Sequence, residues 1–184
     1  FFSLWTGLAL FALMSISSKA TKVRKIIIHT SLILTAAYFF YAVYNKSNVE
    51  RDVTDMAAKA NIPYKSYFTT PSPFNTWLWF AAIESDDGFY TTYRSVNEKG
   101  NPPQLTYFPQ QKHLIERMRS DHELQQLLKF SQGKYTIEQH GDTLIFNDLR
   151  FGQIAGWENP QAPFVFHYYL NYPEANLMVI QRGR

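Results

Sequence analysis

The stretch from Ile26 to Tyr44, IIIHTSLILTAAYFFYAVY, constrains this chain more than any other. It holds no charged residue and runs for 19 residues, from 26 to 44. A helix needs about 20 apolar residues to cross a hydrocarbon core of about 30 Å. The composition therefore predicts a transmembrane helix. Lys19, Lys22, Arg24 and Lys25 stand before it. Positive charge in a short loop stays on the cytoplasmic side, so the loop expected over Ser17 to Lys25 is cytoplasmic and the helix runs outward. Tyr38, Phe39, Phe40, Tyr41 and Tyr44 crowd the far end, where aromatic rings favour the boundary between lipid and water. His29 is an ionisable group near the basic end. A neutral imidazole costs little near the headgroups, so a structural role is the first reading there.

Phe1 to Ile16, FFSLWTGLALFALMSI, is also apolar. It lacks the basic n-region and the small-residue cleavage site of a signal peptide. It reads as the second part of another transmembrane helix, with Gly7 and Ala9 suited to close helix packing in lipid. The chain begins at Phe1 inside this run, so a longer protein is expected. Mean hydropathy over the whole chain is slightly negative, and the apolar weight lies at the start. The remaining residues, about 140, suffice for one domain with its own core.

Net charge is +3, and the cluster before Ile26 holds four positive charges. The rest is near neutral, which argues against the basic face that nucleic acid requires. There is no cysteine, which excludes disulfides, thiolate metal sites and cysteine nucleophiles and is compatible with a periplasmic domain. Aromatic residues make up 17% of the chain and recur beyond the apolar start, in WLWF, FYTTY and FVFHYY. That density predicts a packed core.

An amphipathic linking helix is expected over 45–63. Ser47 and Glu50 form a capping box, Val49, Val53, Met56, Ala57 and Ala60 form one apolar stripe, and Pro63 ends it. A soluble α+β domain is expected over 64–184. Tyr64 to Phe74 is extended, with Pro71 and Pro73 enforcing it. Asn75 to Ile83 is apolar at successive positions, which predicts a central strand covered on both faces. Ser85-Asp86-Asp87-Gly88 is a turn with Gly88 expected at a positive φ, and Phe89 to Val96 returns as the partner strand. Gln110 to Ser120 reads as a helix, and a second capping box, Ser120 to Glu123, restarts it towards Gly133. Tyr135 to His140 and Thr143 to Phe151 flank Gly141-Asp142 as a hairpin, with Ile137 opposite Phe146. Phe164 to Tyr172 is a last strong strand, and Asn176 to Arg184 adds at most an edge segment. The expectation is one antiparallel sheet with helices packed on one face.

Residues that carry chemistry are sparse. The five histidines are His29, His113, His122, His140 and His167. No HExxH occurs, and no two histidines have the spacing of a helical metal pair. His113 and His122 lie near Glu116, Asp121 and Glu123, a metal set in principle, although solvated helix faces routinely carry such residues. Asp86 and Asp87 are a carboxylate pair of the kind used in acid–base work, set in a turn where Asp is favoured for its backbone hydrogen bonds. Asp148 and Arg150 share a strand face and read as an internal ion pair, with anion binding as the alternative. Trp77 and Trp79 have the rings to stack on a ligand, but core packing is the default. No GxSxG elbow and no glycine-rich phosphate loop occur.

Five spaced runs nevertheless form a pattern. They are Thr70 to Trp79 (TPSPFNTWLW), Asp86 to Tyr90 (DDGFY), Leu128 to Tyr135 (LKFSQGKY), Asn147 to Gly152 (NDLRFG) and Phe164 to Phe166 (FVF). Together they resemble the C-terminal part of a family of bacterial inner-membrane proteins named as metal-dependent hydrolases and also described as LexA-binding. The resemblance covers Phe68 to Phe166. It implies a multi-pass inner-membrane protein with a C-terminal soluble domain. It also implies a divalent metal held by His and Asp residues in the N-terminal membrane half, around an HRxxTHS-like motif. No such motif stands in these 184 residues, so no catalytic or metal-binding residue is assigned.

The polar members of the matched motifs are Asn75, Asp87, Asp148 and Arg150. Architectural roles suit them: Asn75 capping the start of a strand, Asp87 shaping a turn, Asp148 and Arg150 tying sheet to loop. The expectation is two transmembrane helices followed by a periplasmic α+β domain that helps bind or position a substrate near the bilayer. The alternative is a non-catalytic, membrane-tethered domain that recognises an envelope component or a partner protein through its sheet.

Overall fold

The computed structural model describes Gly7 and residues 21–98, 104–171 and 179–180. Apart from Gly7, the first expected membrane helix lies outside the described residues. The longest element is helix α1 (Thr21–Lys59), 39 residues without interruption. At about 1.5 Å per residue it is about 58 Å long. No proline or glycine interrupts it. Thr21 to Lys25, expected as loop, is already helical, because Lys and Arg propagate a helix well.

The separate helix expected from Ser47 does not form. Ser47 Oγ donates to the Val43 carbonyl at 3.1 Å, the bond a serine makes inside a helix. Glu50 pairs with Lys46 at 3.5 Å instead of reaching back to cap. The helix stops at Asn61, which takes a φ of 50°. Asn61 N–H donates to the Ala58 carbonyl at 3.1 Å and Ile62 N–H to the Ala57 carbonyl at 3.0 Å, a Schellman ending, with Pro63 just beyond.

Among the described residues, one stretch is long and apolar enough to cross a membrane, and it belongs to α1, over Lys25–Lys59. Ile26, Leu32, Ile33, Phe39 and Phe40 are all exposed. Beyond Tyr44 the pattern changes. Val49, Val53 and Ala57, one turn apart, are almost completely buried.

What buries them is a sheet. Strands β1 (Ser66–Pro71), β2 (Leu78–Glu84), β3 (Gly88–Ser95) and β4 (Thr106–Pro109) pair antiparallel in chain order. Strand β2 is buried on both faces. Its Trp79, Ala81 and Ile83 pack on Val49, Val53 and Ala57 of α1. Its Phe80 and Ala82 point the other way, into a cluster with Phe89, Phe108, Leu149 and Phe164. Arg94 of β3 ties the sheet to α1 through Asp52, Nε to Oδ2 at 2.9 Å. Each fully buried Val, Leu or Phe side chain contributes about 1.5–3 kcal/mol.

A second sheet covers the other face. Strands β5 (Tyr135–His140), β6 (Thr143–Gln153), β7 (Phe164–Asn171) and β8 (Val179–Ile180) also pair antiparallel in chain order. The hairpin register is the expected one, Ile137 opposite Phe146. A 3-10 helix (Lys112–Met118) and helix α2 (His122–Ser131) place Ile115, Met118, Leu124 and Leu127 on the outer face of this sheet. The layers are therefore α1, sheet one, sheet two, then the short helices.

This α+β arrangement corrects the single sheet with helices on one face. A strand as apolar as β2 needs cover on both sides, and α1 covers only one. The extended chain expected from Tyr64 forms the edge strand β1, and β4, for which the sequence carries no expectation, forms the other edge; Pro71 and Pro109 are tolerated there. Gly88 does not take a positive φ. A side chain there would sit 2.8 Å from the Tyr107 hydroxyl and against the backbone of β4, so close approach is what requires glycine. The cap of α2 is Asp121, whose Oδ1 accepts from Glu123 N–H at 2.9 Å, in place of Ser120.

Candidate functional site

Strand β2 climbs α1 away from its apolar half: Thr76, just before it, bonds Asn45, and Arg94, opposite Trp79, pairs with Asp52 further along the helix. Strand β1 descends beside it, with Pro71 opposite Trp79. The loop Ser72 to Trp77 therefore lies at the end of the domain nearest the apolar half. Asn75 builds that loop. Its Oδ1 accepts from Trp77 N–H at 3.0 Å and Leu78 N–H at 2.9 Å, which starts β2. Thr76 is buried, and its carbonyl accepts from Asn45 Nδ2 at 3.0 Å and Trp79 Nε1 at 2.9 Å. Trp77 Nε1 donates to the Tyr41 hydroxyl at 3.1 Å.

Across the two sheets, β6 breaks its register with β7 between Asp148 and Gln153. Such a bulge bends a strand and re-aims its side chains. Asp148 holds it. Its carboxylate is fully buried and accepts from Arg150 Nη2 at 2.6 Å and from Arg150 Nε and N–H at 3.0 Å. This hydrogen bond pushes the guanidinium pKa above its ordinary value, against a smaller effect of burial. The Arg150 guanidinium also lies 4.3 Å above the Phe130 ring.

Between the Pro71–Pro73 loop and the bulge opens a cavity of about 440 Å³. Pro71, Pro73, Phe80, Ile154, Trp157 and Val165 line it, with Phe151 at the wall formed by the bulge. Ile154 and Trp157 are each 53% exposed at its rim. The volume falls in the range of small-molecule sites, and the lining is mostly apolar.

Tyr93 forms the floor. Gln153 N–H donates to the Tyr93 hydroxyl at 2.6 Å, and that hydroxyl donates to the Gln153 carbonyl at 3.2 Å. Burial raises the phenol pKa, and the backbone bond lowers it by less. The phenol is thus neutral and already bonded at physiological pH. Gln153 in turn donates to the carbonyls of Pro160 and Ala162, both at 2.8 Å, folding the loop that follows. A side chain at Gly156 would collide with the Tyr93 ring. The cavity therefore offers an apolar surface for binding and no poised acid or base.

None of the four motif residues lines the cavity: Asn75 shapes the loop that follows Pro73, and Asp148 and Arg150 pair in the bulge before Phe151. Asp87 sits in the β2–β3 turn at the far end of β2, where its carbonyl accepts from Gln110 N–H at 2.8 Å. Its neighbour Asp86 pairs with Lys65 at 3.1 Å. The histidines are scattered. His29 Nδ1 is 2.7 Å from the Lys25 carbonyl within α1. His113 and His122 are exposed on separate helices. His140 contacts Glu138 at 3.5 Å, and His167 donates to the Phe164 carbonyl at 2.8 Å. Among the described residues no three His, Asp or Glu side chains stand together as a metal ligand set.

Sequence reasoning missed Tyr93, Gln153 and Gly156. The only local signal was Gly152 and Gly156, four apart beside an aromatic-rich strand. Trp79 is core, as expected of an indole in an apolar strand, whereas Trp77 is half exposed. No family model matches this chain, and neither a curated protein nor a solved structure matches it.

Proposed function

We propose that this chain is the membrane-anchored part of an integral inner-membrane hydrolase of the kind its five motifs resemble. In that reading the α+β domain lies on the periplasmic side and receives the apolar portion of an envelope substrate at the bilayer surface. The metal chemistry implied by the resemblance is carried by residues outside these 184. The observation that carries the reading is the position of the apolar cavity, which shares the Pro71–Pro73 loop with the end of the domain nearest the apolar half of α1. A substrate with an acyl or polyprenyl tail would leave lipid and enter it over a short path.

One observation favours a second reading, a tethered interaction domain without catalysis. Asn75, Asp148 and Arg150 spend their polar atoms on internal bonds. A photo-crosslinking residue at Val165, on the cavity rim, separates the two in living cells. Adducts of lipid-linked molecules identified by mass spectrometry are expected. Adducts of protein alone would select the interaction domain, and no adduct would sink both. A reporter fused after Arg184 tests the side: activity only when exported is expected, and activity confined to the cytoplasm would reverse the orientation.

A further inference from the structure

We propose that the Ser72–Trp77 loop is a second membrane contact, which seats Phe74 and Trp77 in the headgroup boundary of the bilayer that α1 crosses. Phe74 is 76% exposed. Its φ of 63° lies in the left-handed region, which an aromatic residue rarely adopts, and the loop holds it there. Trp77 is 53% exposed and lies beside it in the same loop. In water alone, two exposed rings in a strained loop are a liability. At the boundary of lipid and water they are the preferred residues, because an aromatic body enters the acyl region while an indole N–H stays with polar partners.

The level of the loop is set by α1. Trp77 Nε1 donates to the Tyr41 hydroxyl, and the buried Asn45 amide bonds Thr76 at both its carbonyl and its hydroxyl, at 3.0 and 3.3 Å. Tyr41 and Asn45 bracket the end of the apolar run. Tyr38, Phe39, Phe40 and Tyr44 stand at that same level and are exposed. The loop therefore extends an aromatic belt that α1 begins. Two contacts fix a tilt where one helix leaves the domain free to swing, so the cavity mouth beside Pro73 is held against the bilayer.

The proposal rests on α1 crossing the bilayer, and the test separates the two. The chain has no cysteine, so single-cysteine variants take a spin label cleanly. Labels go at Leu34→Cys in the apolar half, at Asp86→Cys in the far turn, and at Pro73→Cys, which leaves both rings in place. The full chain is reconstituted in phosphatidylcholine–phosphatidylglycerol vesicles, and accessibility to oxygen and to a water-soluble nickel chelate is read by electron paramagnetic resonance.

At Pro73→Cys the nickel accessibility is expected to be several-fold below that at Asp86→Cys, with depth at the headgroups. Adding Phe74→Asp in that background should raise it towards the Asp86→Cys value. If Pro73→Cys matches Asp86→Cys while Leu34→Cys is buried in lipid, the loop contact is overturned and the membrane span stands. If Leu34→Cys is itself open to the nickel chelate, both fall. The Pro73→Cys measurement decides the matter even if the Phe74→Asp variant fails to fold.

Discussion

The two halves of α1 differ in how their apolar residues are arranged around the same cylinder. From Ile26 to Tyr44 they face every direction and most are exposed, with Ile27, Ile28 and Ala42 half-buried. From Asn45 to Lys59 they form one stripe, and sheet one covers it. A helix apolar all round is stable only when buried in protein or in lipid. Among the described residues little of this apolar window is buried. The difference teaches that one unbroken helix carries two kinds of apolar surface: a stripe that sheet one covers, and a segment long and apolar enough to cross a membrane.

The largest effect separates the halves most cleanly. Val53→Asp places an unpaired carboxylate in the centre of the stripe, where Val53 is fully buried. We expect it to cost upwards of about 4 kcal/mol and to unfold the domain. Limited proteolysis should then release the sheets while the chain stays in the membrane fraction. If the domain kept its protease resistance, the stripe would not be its foundation.

Leu34→Arg attacks the other half. A charge at mid-span costs about 2.5–3.5 kcal/mol on insertion scales. Membrane integration should fall in extraction assays, while the melting of the domain in detergent stays unchanged. An altered melting temperature with full integration would exchange the roles of the halves.

Asn45→Ala tests the joint between them. It removes a buried amide that bonds Thr76, and loss of such a bond costs about 1–3 kcal/mol. The domain should melt a few degrees lower, with integration intact. No change would mean that the loop is held without Asn45, by the Trp77–Tyr41 and Trp79–Thr76 bonds and by Asn75.

The smallest effect at neutral pH comes from the phenols. Burial raises the pKa of Tyr93, Tyr135 and Tyr168 above the usual value of about 10. A raised folded-state pKa gives stability that is complete below pH 10 and is lost as pH climbs from there through the folded values. Alkali should therefore unfold the domain while α1 stays in the membrane. Tyr93→Phe should flatten that pH dependence. A domain whose melting is independent of pH up to 11 would remove the buried phenols from the account.

Much of this was legible along the chain. The apolar run, the stripe Val49–Val53–Ala57, the doubly covered β2 and the β5–β6 hairpin are local patterns, and local patterns survive folding. The break at Ser47 was misread because Ser-x-x-Glu signals a cap only where a helix has reason to begin. Here the helix was already running, so the hydroxyl bonded backwards to Val43. Strands β1 and β4 were obscured because edge strands tolerate proline and need no strong alternation. The candidate residues were visible as motif members, but their partners were not. Pro73 lies more than 70 positions from Phe151, and nothing local signals that they line one cavity.

By itself the sequence determined which segments are apolar, at what period, and where the chain must turn, because hydropathy and backbone preference act over a few residues. The tertiary structure alone decided that two sheets face each other across Phe80, Leu149 and Phe164. It also decided that Tyr93 is locked to Gln153, and that the loop carrying Phe74 and Trp77 stands level with Tyr41. Those facts depend on contacts between distant segments. They follow from the need to cover β2 on its second face, a need the sequence states without naming what meets it.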